Sequence, residues 1–234
     1  GIPSAGLCSL NWAAVYAAYC EDGYEDWCIL EQITNSYRAA GLLLAPTPAI
    51  PMPELDNVVT IGPIARQGCR QREVLLERCA AGREVRAVLV ALGGIATALP
   101  IDNWPTIEDV IWIFTDPMQS PRNDMLDLLA LEMPFIDVLA SVDVVLTKPG
   151  YGTYAEAVCH GVPVLTIERR DWPETTCLNS WVQQHGHLEV MTREQFLGGH
   201  FAPQLNALLA KPARPAIEPD GIRQAVEQIR YLLE

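Results

Sequence analysis

Short, wholly apolar runs recur along the second half of this chain: AVLVAL at 87–92, VIWIF at 110–114, VVLT at 144–147 and VLTI at 164–167. Each is too short for a buried helix and lacks the polar alternation of a half-exposed strand. They read as strands covered on both faces, the mark of a parallel sheet. Between them the apolar positions fall at helical spacing. Helices are expected over Glu73–Ala81, Phe135–Ser141, Thr153–His160, Glu174–His185, Pro203–Ala210 and Asp220–Leu233, with strands over Ala87–Leu92, Asp109–Phe114, Met125–Leu131, Asp143–Thr147 and Val162–Ile167. The first half follows the same alternation less cleanly. Strands are expected over Gly1–Leu10, Leu42–Ala45 and Asn57–Ile61, and helices over Trp12–Tyr19 and Glu31–Ala40, the latter stopped by Gly41. The Pro-rich stretch TPAIPMPELD at 47–56 is a loop, and residues 66–72 are a polar linker.

Alternating strand and helix of this kind predicts an α/β fold, with parallel, Rossmann-like sheets and helices on both faces. The linker divides the chain into 1–66 and 67–234. Ligands of such sheets lie outside the carboxyl ends of the strands. That directs attention to the loops after Leu92 and after Thr147.

Composition narrows the field of partners. Half of the 234 residues are hydrophobic and 19% are charged, an ordinary globular balance. The net charge of -13 argues against nucleic acid or an anionic membrane as a broad partner. Seven cysteines, an odd number without zinc-type spacing, read as reduced thiols in a cytoplasmic protein. No apolar run approaches the roughly 18 residues of a membrane span. The sequence opens without Met on an apparent strand, GIPSAGLCSL, and so reads as a fragment whose N-terminal domain is truncated.

The most informative stretch is TKPGYGTYAEAVCHGVPVL, residues 147–165. Thr153 and Glu156 stand at the spacing of a capping box, which would start a helix at Thr153, and Gly161 and Pro163 would stop it. Capping does not account for Gly150 and Gly152. Glycines between a strand end and a helix start let backbone N–H groups approach an anion, and the helix dipole favours it. Lys148 adds charge. Gly93 and Gly94 follow the strand at 87–92 in the same way. Two such loops at neighbouring strand ends would clamp a diphosphate. The sequence has neither a P-loop nor the dinucleotide Gly-x-Gly-x-x-Gly context.

VLVALGG, followed by ASVDVVLTKPGYGTYAEAVCHGVPVL and then a helix bearing Asn179, resembles the C-terminal half of GT-B glycosyltransferases. It most resembles the branch containing the peptidoglycan N-acetylglucosaminyltransferase, and it is also similar to the glycosyltransferase-like part of plant arabinose kinases. GIPSAGLCSLNWAAVYAAY and NVVTIGPIAR resemble the end of the N-terminal domain and the crossing into the second.

The resemblance implies that 1–66 is the remnant of an acceptor-side domain and 67–234 a nucleotide-sugar donor domain. It further implies an inverting, metal-independent transfer from a UDP-sugar, with no cofactor. Gly93, Gly94, Lys148, Gly150, Gly152 and Thr153 would hold the diphosphate, and Glu156 the ribose hydroxyls. Arg169, Arg170, Asp171, Glu174 and Asn179 would face the sugar. The segment departs from the family in having Thr176 and Asn179-Ser180 where a Gln before Asn-Ala is usual. No catalytic base is assigned and the acceptor is unknown. The chain alone is expected to be inactive, with a companion domain or a second copy as partner. A nucleotide-sugar epimerase or hydrolase, or a non-catalytic nucleotide-binding module, are the alternatives. The four histidines are expected to be structural, with His160 a favourable positive charge in the last turn of its helix.

Overall fold

The computed structural model describes residues 3–20, 23–93, 99–116 and 122–234. In chain order its elements are β1 (Ala5–Leu7), α1 (Trp12–Tyr19), α2 (Tyr24–Arg38), β2 (Leu42–Pro46), β3 (Val58–Ile61), α3 (Arg72–Arg78), β4 (Arg86–Ala91), β5 (Val110–Phe114), β6 (Met125–Asp127), α4 (Phe135–Ser141), β7 (Val144–Thr147), α5 (Tyr151–Cys159), β8 (Val164–Ile167), α6 (Thr175–His185), β9 (Leu188–Met191), α7 (Arg193–Gly198), α8 (Ala202–Leu209) and α9 (Gly221–Leu233). They form two compact units. One comprises Gly1–Ala65, Arg170–Leu178 and Glu218–Glu234; the other comprises Arg66–Arg169 and Asn179–Ile217.

The smaller unit holds a parallel three-stranded sheet in the order β1-β2-β3. Strand β2 is buried throughout, as its all-apolar sequence requires. On one side Leu42 and Leu44 join Ile61 and, from α9, Ala225; on the other Leu43 packs with Ile50, Met52 and Leu55. The buried Asn11 starts α1 by accepting the Ala14 N–H at 2.7 Å. Helix α2 begins seven residues earlier than its apolar pattern suggests. Its first turn carries Glu25 and Asp26, which suit a helix N-terminus but interrupt the hydrophobic period. Strand β1 is only three residues long, much shorter than expected.

The larger unit is a six-stranded parallel sheet in the order β6-β5-β4-β7-β8-β9. Counted within the unit this is 3-2-1-4-5-6, the doubly wound order. Strands β4, β7 and β8 are almost fully buried. One core face gathers Val88, Val90, Val144, Leu146 and Leu165 with the rings of Trp104, Trp112, Phe114, Phe196 and Phe201. Trp104 meets Trp112 and Phe201 edge-on at 5.3 Å between centroids, a favoured aromatic geometry.

Two local expectations are corrected here, and one strand was missed. The strand expected over 125–131 ends at Asp127 and gives way to a 3-10 turn, Leu128–Leu131, closed by Glu132 in the left-handed region. Strand β9 was hidden because it is the sheet edge, with Val190 exposed and Glu189 half-buried, so it makes no continuous apolar run. Helix α7 carries the capping box that the sequence placed on α5: Thr192 and Gln195 bond reciprocally.

Candidate functional site

The strand order reverses between β4 and β7, which pair in parallel with Ala91 opposite Thr147. Open α/β sheets bind ligands at this switch point, beyond the carboxyl ends of the strands. The Thr147 hydroxyl donates to the Ala91 carbonyl at 2.6 Å and ties the two strand ends together. The chain leaves β4 through Gly93 at φ +63, a conformation that favours glycine. It leaves β7 through Lys148, Pro149 and Gly150. Lys148 Nζ lies 3.5 Å from the Gly93 carbonyl oxygen. The two loops singled out in the sequence therefore stand side by side, with the lysine between them. Gly94 lies outside the described residues.

Helix α5 starts at Tyr151, two residues before the position that the Thr-x-x-Glu spacing marks. Its N-cap is Gly150, in extended backbone at φ -171, and no side chain caps the turn. Thr153 is therefore at the third helical position and makes no capping box. The physical reason is that the extended Gly150 lets the chain turn into the helix at once. Gly152 is exposed, and a Cβ placed on it would meet nothing within 4 Å. A helix start without a side-chain cap, bearing an open glycine, is able to receive an anion on its backbone N–H groups.

Glu156, one turn further, is buried at 6% exposure. Its partner is Arg66 and not the Thr153 backbone: Nε lies 2.5 Å from Oε1, and Nη2 lies 3.3 Å from Oε2. The hydrogen bond to Glu156 raises the Arg66 guanidinium above its ordinary value and keeps it charged. The same guanidinium lies over the Phe135 ring, 5.4 Å from its centroid.

The backbone after Arg66 is pinned to this unit. Gly68 N–H donates to His160 Nε2 at 2.9 Å, and Cys69 N–H donates to Asp137 at 2.8 Å. His160 Nδ1 in turn lies 2.7 Å from the Glu156 carbonyl oxygen. A ring that accepts at Nε2 and faces a carbonyl at Nδ1 carries its one proton on Nδ1. His160 is thus a neutral bridge between Gly68 and α5, which corrects the positive charge expected of it.

Tyr154 is fully buried, and burial raises its hydroxyl well above the usual phenol range. It lies 2.8 Å from Thr166 Oγ1 and 3.0 Å from Asn179 Oδ1. An amide oxygen only accepts, so Tyr154 donates to Asn179 and receives the Thr166 proton. Asn179 is therefore held with its amide oxygen toward Tyr154, which leaves its NH2 to point elsewhere.

The remaining expected sugar-facing residues separate. Arg169 and Asn179 belong to the larger unit; Arg170, Asp171 and Glu174 belong to the smaller one. Arg170 and Asp171 are exposed. Glu174 is buried at 5% exposure, and its carboxylate accepts from Ser9 Oγ at 2.8 Å and from Trp172 Nε1 at 3.4 Å. Oε1 ties the segment to Ser9 in the loop after β1, and Oε2 accepts from Trp172 within the segment itself. Sequence reasoning missed Arg66, Tyr154 and Thr166. A search for a cation able to satisfy a buried glutamate would have pointed to the three arginines of the linker, Arg66, Arg70 and Arg72, without choosing among them.

Among the described residues no helix is long and apolar enough to cross a membrane. No family model matches the chain. It is similar to L-arabinokinase of Arabidopsis thaliana, 26% identical over 221 residues, which cover 91% of this chain and 21% of that protein. Among solved structures, CalG4, the calicheamicin glycosyltransferase, matches 99% of this chain and 68% of its own at a TM-score of 0.66 and 16% identity. UGT89C1 of Arabidopsis thaliana, solved with UDP-L-rhamnose, matches 98% of this chain and 61% of its own at a TM-score of 0.53 and 16% identity. The chain therefore has the fold of GT-B glycosyltransferases, and spans about a fifth of the length of the arabinokinase it resembles.

Proposed function

We propose that this chain carries the nucleotide-sugar donor site of a glycosyltransferase, with a UDP-sugar as donor. The observation that carries the reading is the switch point itself: Gly93 at the end of β4 and the uncapped start of α5 after β7, with Lys148 between them. An anion placed there would accept from the backbone at Gly152 and Thr153 and lie close to one ammonium. Gly93, Gly94, Lys148, Gly150, Gly152 and Thr153 then hold the diphosphate, and Glu156 takes the ribose diol. UDP-L-rhamnose in one protein of the same fold supports a uridine nucleotide as donor.

In this reading the acceptor hydroxyl gives its proton to a base supplied from the acceptor side and attacks the anomeric carbon from the face opposite the diphosphate. The C–O bond to the β-phosphate breaks, and configuration at the carbon inverts. Negative charge builds on the departing phosphate oxygen, where fixed N–H dipoles and Lys148 stabilise it without a metal. Asn179, oriented by Tyr154, presents its NH2 as a donor to the sugar, together with the Arg169 guanidinium.

The test is a thermal-shift series with UDP, GDP, dTDP and CMP on the native protein and on Gly152→Val. The valine side chain enters open space, so the fold should tolerate it. UDP at about 100 times its dissociation constant should add roughly 2.7 kcal/mol of stability, selectively, and Gly152→Val should abolish that gain. Equal response to all four nucleotides, or an unchanged response in the variant, would remove the donor site from this loop.

A further inference from the structure

Glu156 is the residue on which the proposed ribose contact depends, and it is already taken. Arg66 reaches both of its carboxylate oxygens, Nε to Oε1 and Nη2 to Oε2. A ribose 2′,3′-diol needs the same two oxygens, one for each hydroxyl. With its side chain only 8% exposed, Glu156 presents little surface beyond that met by the guanidinium, so the two compete for it.

The two partners differ in freedom. Glu156 is buried within α5, flanked by Ala155 and Ala157, which are fully buried. Its side chain is 8% exposed. The Arg66 side chain is 65% exposed and reaches the carboxylate from outside. If one of them yields, it is the arginine. Its guanidinium is readily rehydrated at that exposure, whereas a buried carboxylate left without a partner costs far more. The backbone beyond Arg66 stays in place, because Gly68 and Cys69 are bonded to His160 and Asp137. A displaced guanidinium therefore remains within reach, as a tethered competitor at high effective concentration.

We propose that Arg66 is an internal competitor for the ribose seat: it occupies Glu156 in the free protein, and a ribonucleoside diphosphate binds only by displacing it. This rests on the donor-site reading above. It makes Arg66 a residue that sets affinity and selectivity, because only a ligand with a cis-diol supplies the two donors that replace the guanidinium. Anions without a diol leave the pair intact and gain nothing from its removal.

Titration calorimetry of the whole chain with UDP and with 2′,3′-dideoxy-UDP tests this, on the native protein, Arg66→Ala and Arg66→Gln. The glutamine variant guards against a fold weakened by an unpaired Glu156. UDP should bind about tenfold tighter to the variants, the ratio that ~1.4 kcal/mol produces. Binding of the dideoxy compound should not change. Arginine side-chain NMR on the native protein gives a second reading that needs no variant: the Arg66 Nε–H signal should move to its solvent-exposed position on saturation with UDP and stay in place with the dideoxy compound. UDP binding that is equal or weaker in the variants, or an Arg66 signal unmoved by saturating UDP, would overturn the competitor while leaving the donor site standing. Failure of native and variant proteins alike to bind any nucleotide, with all of them folded, would end both.

Discussion

At the scale of single residues, the α5 region is organised by buried polar groups that satisfy one another. Tyr154 links Thr166 and Asn179 in one directed relay. Tyr154→Phe keeps the ring and removes the link, leaving the buried Thr166 hydroxyl and the Asn179 oxygen without it. Urea unfolding should show a loss of about 1–2 kcal/mol. The thiols give a second residue-scale prediction. Burial pushes Cys159 up to about 12, and Cys79 and Cys177 up to about 11, from an ordinary value of 9.0. Their folded values are raised, so the unfolded chain loses these protons first. The stability they protect is intact below pH 9 and lost as pH rises through 11 to 12. The urea midpoint should hold level from pH 7 to 8.5 and fall between pH 9 and 11, less steeply in Cys159→Ala. At pH 8 a thiol reagent should label the exposed Cys28 and Cys69 well before Cys159.

Legibility at this scale follows sequence distance. Gly150, Gly152, Thr153 and Glu156 lie within seven residues, so their shared chemistry can be read off a single line of sequence. Arg66 sits 90 positions before Glu156, and nothing local marks it as the partner. Tyr154 looks like any apolar helix position until its hydroxyl is seen to face two polar side chains.

Among elements, those whose apolar residues face the core all along their length were the ones the pattern found. Strands β4, β7 and β8 are of this kind, and so is α4, whose bounds match the expectation. Elements with one wet side were harder. Helix α2 buries little beyond Thr34, and β9 is an edge. Turn chemistry was legible but misassigned: two Thr-x-x-Glu/Gln sequences compete, and the structure uses the one at Thr192. That helix, α7, ends on Gly199 at φ +71, where an added Cβ would run into the Asn103 carbonyl oxygen. Gly199→Ala combines left-handed strain with a backbone clash and should cost about 2 kcal/mol or more in urea unfolding. Gly152→Ala, in open space within a helix, should cost nothing and gain up to about 1 kcal/mol.

The whole molecule is two α/β units, each built on its own parallel sheet, threaded by one chain that changes unit after Ala65, Arg169, Leu178 and Ile217. The alternation of strand and helix announced the two sheets and the fold class. It gave no sign that 170–178 and 218–234 pack with the first 65 residues, because compactness is a property of contacts and not of periodicity. Helix α6 crosses a boundary in mid-course, with Thr175–Leu178 in one unit and Asn179–His185 in the other. A continuous helix that serves two cores should couple their melting. Circular dichroism and tryptophan fluorescence should therefore report a single, coincident thermal transition, and two resolved transitions would contradict the coupling.

The same threading bears on how such a protein can be recombined. A chimera that exchanges one unit for that of a relative cannot be made as a single cassette. It needs four junctions, and one of them falls inside α6. A splice there must conserve helical phase, since one inserted residue turns everything beyond it by about 100° and would swing Asn179 away from Tyr154. Among proteins threaded this way, the two units would be inherited together more readily than exchanged.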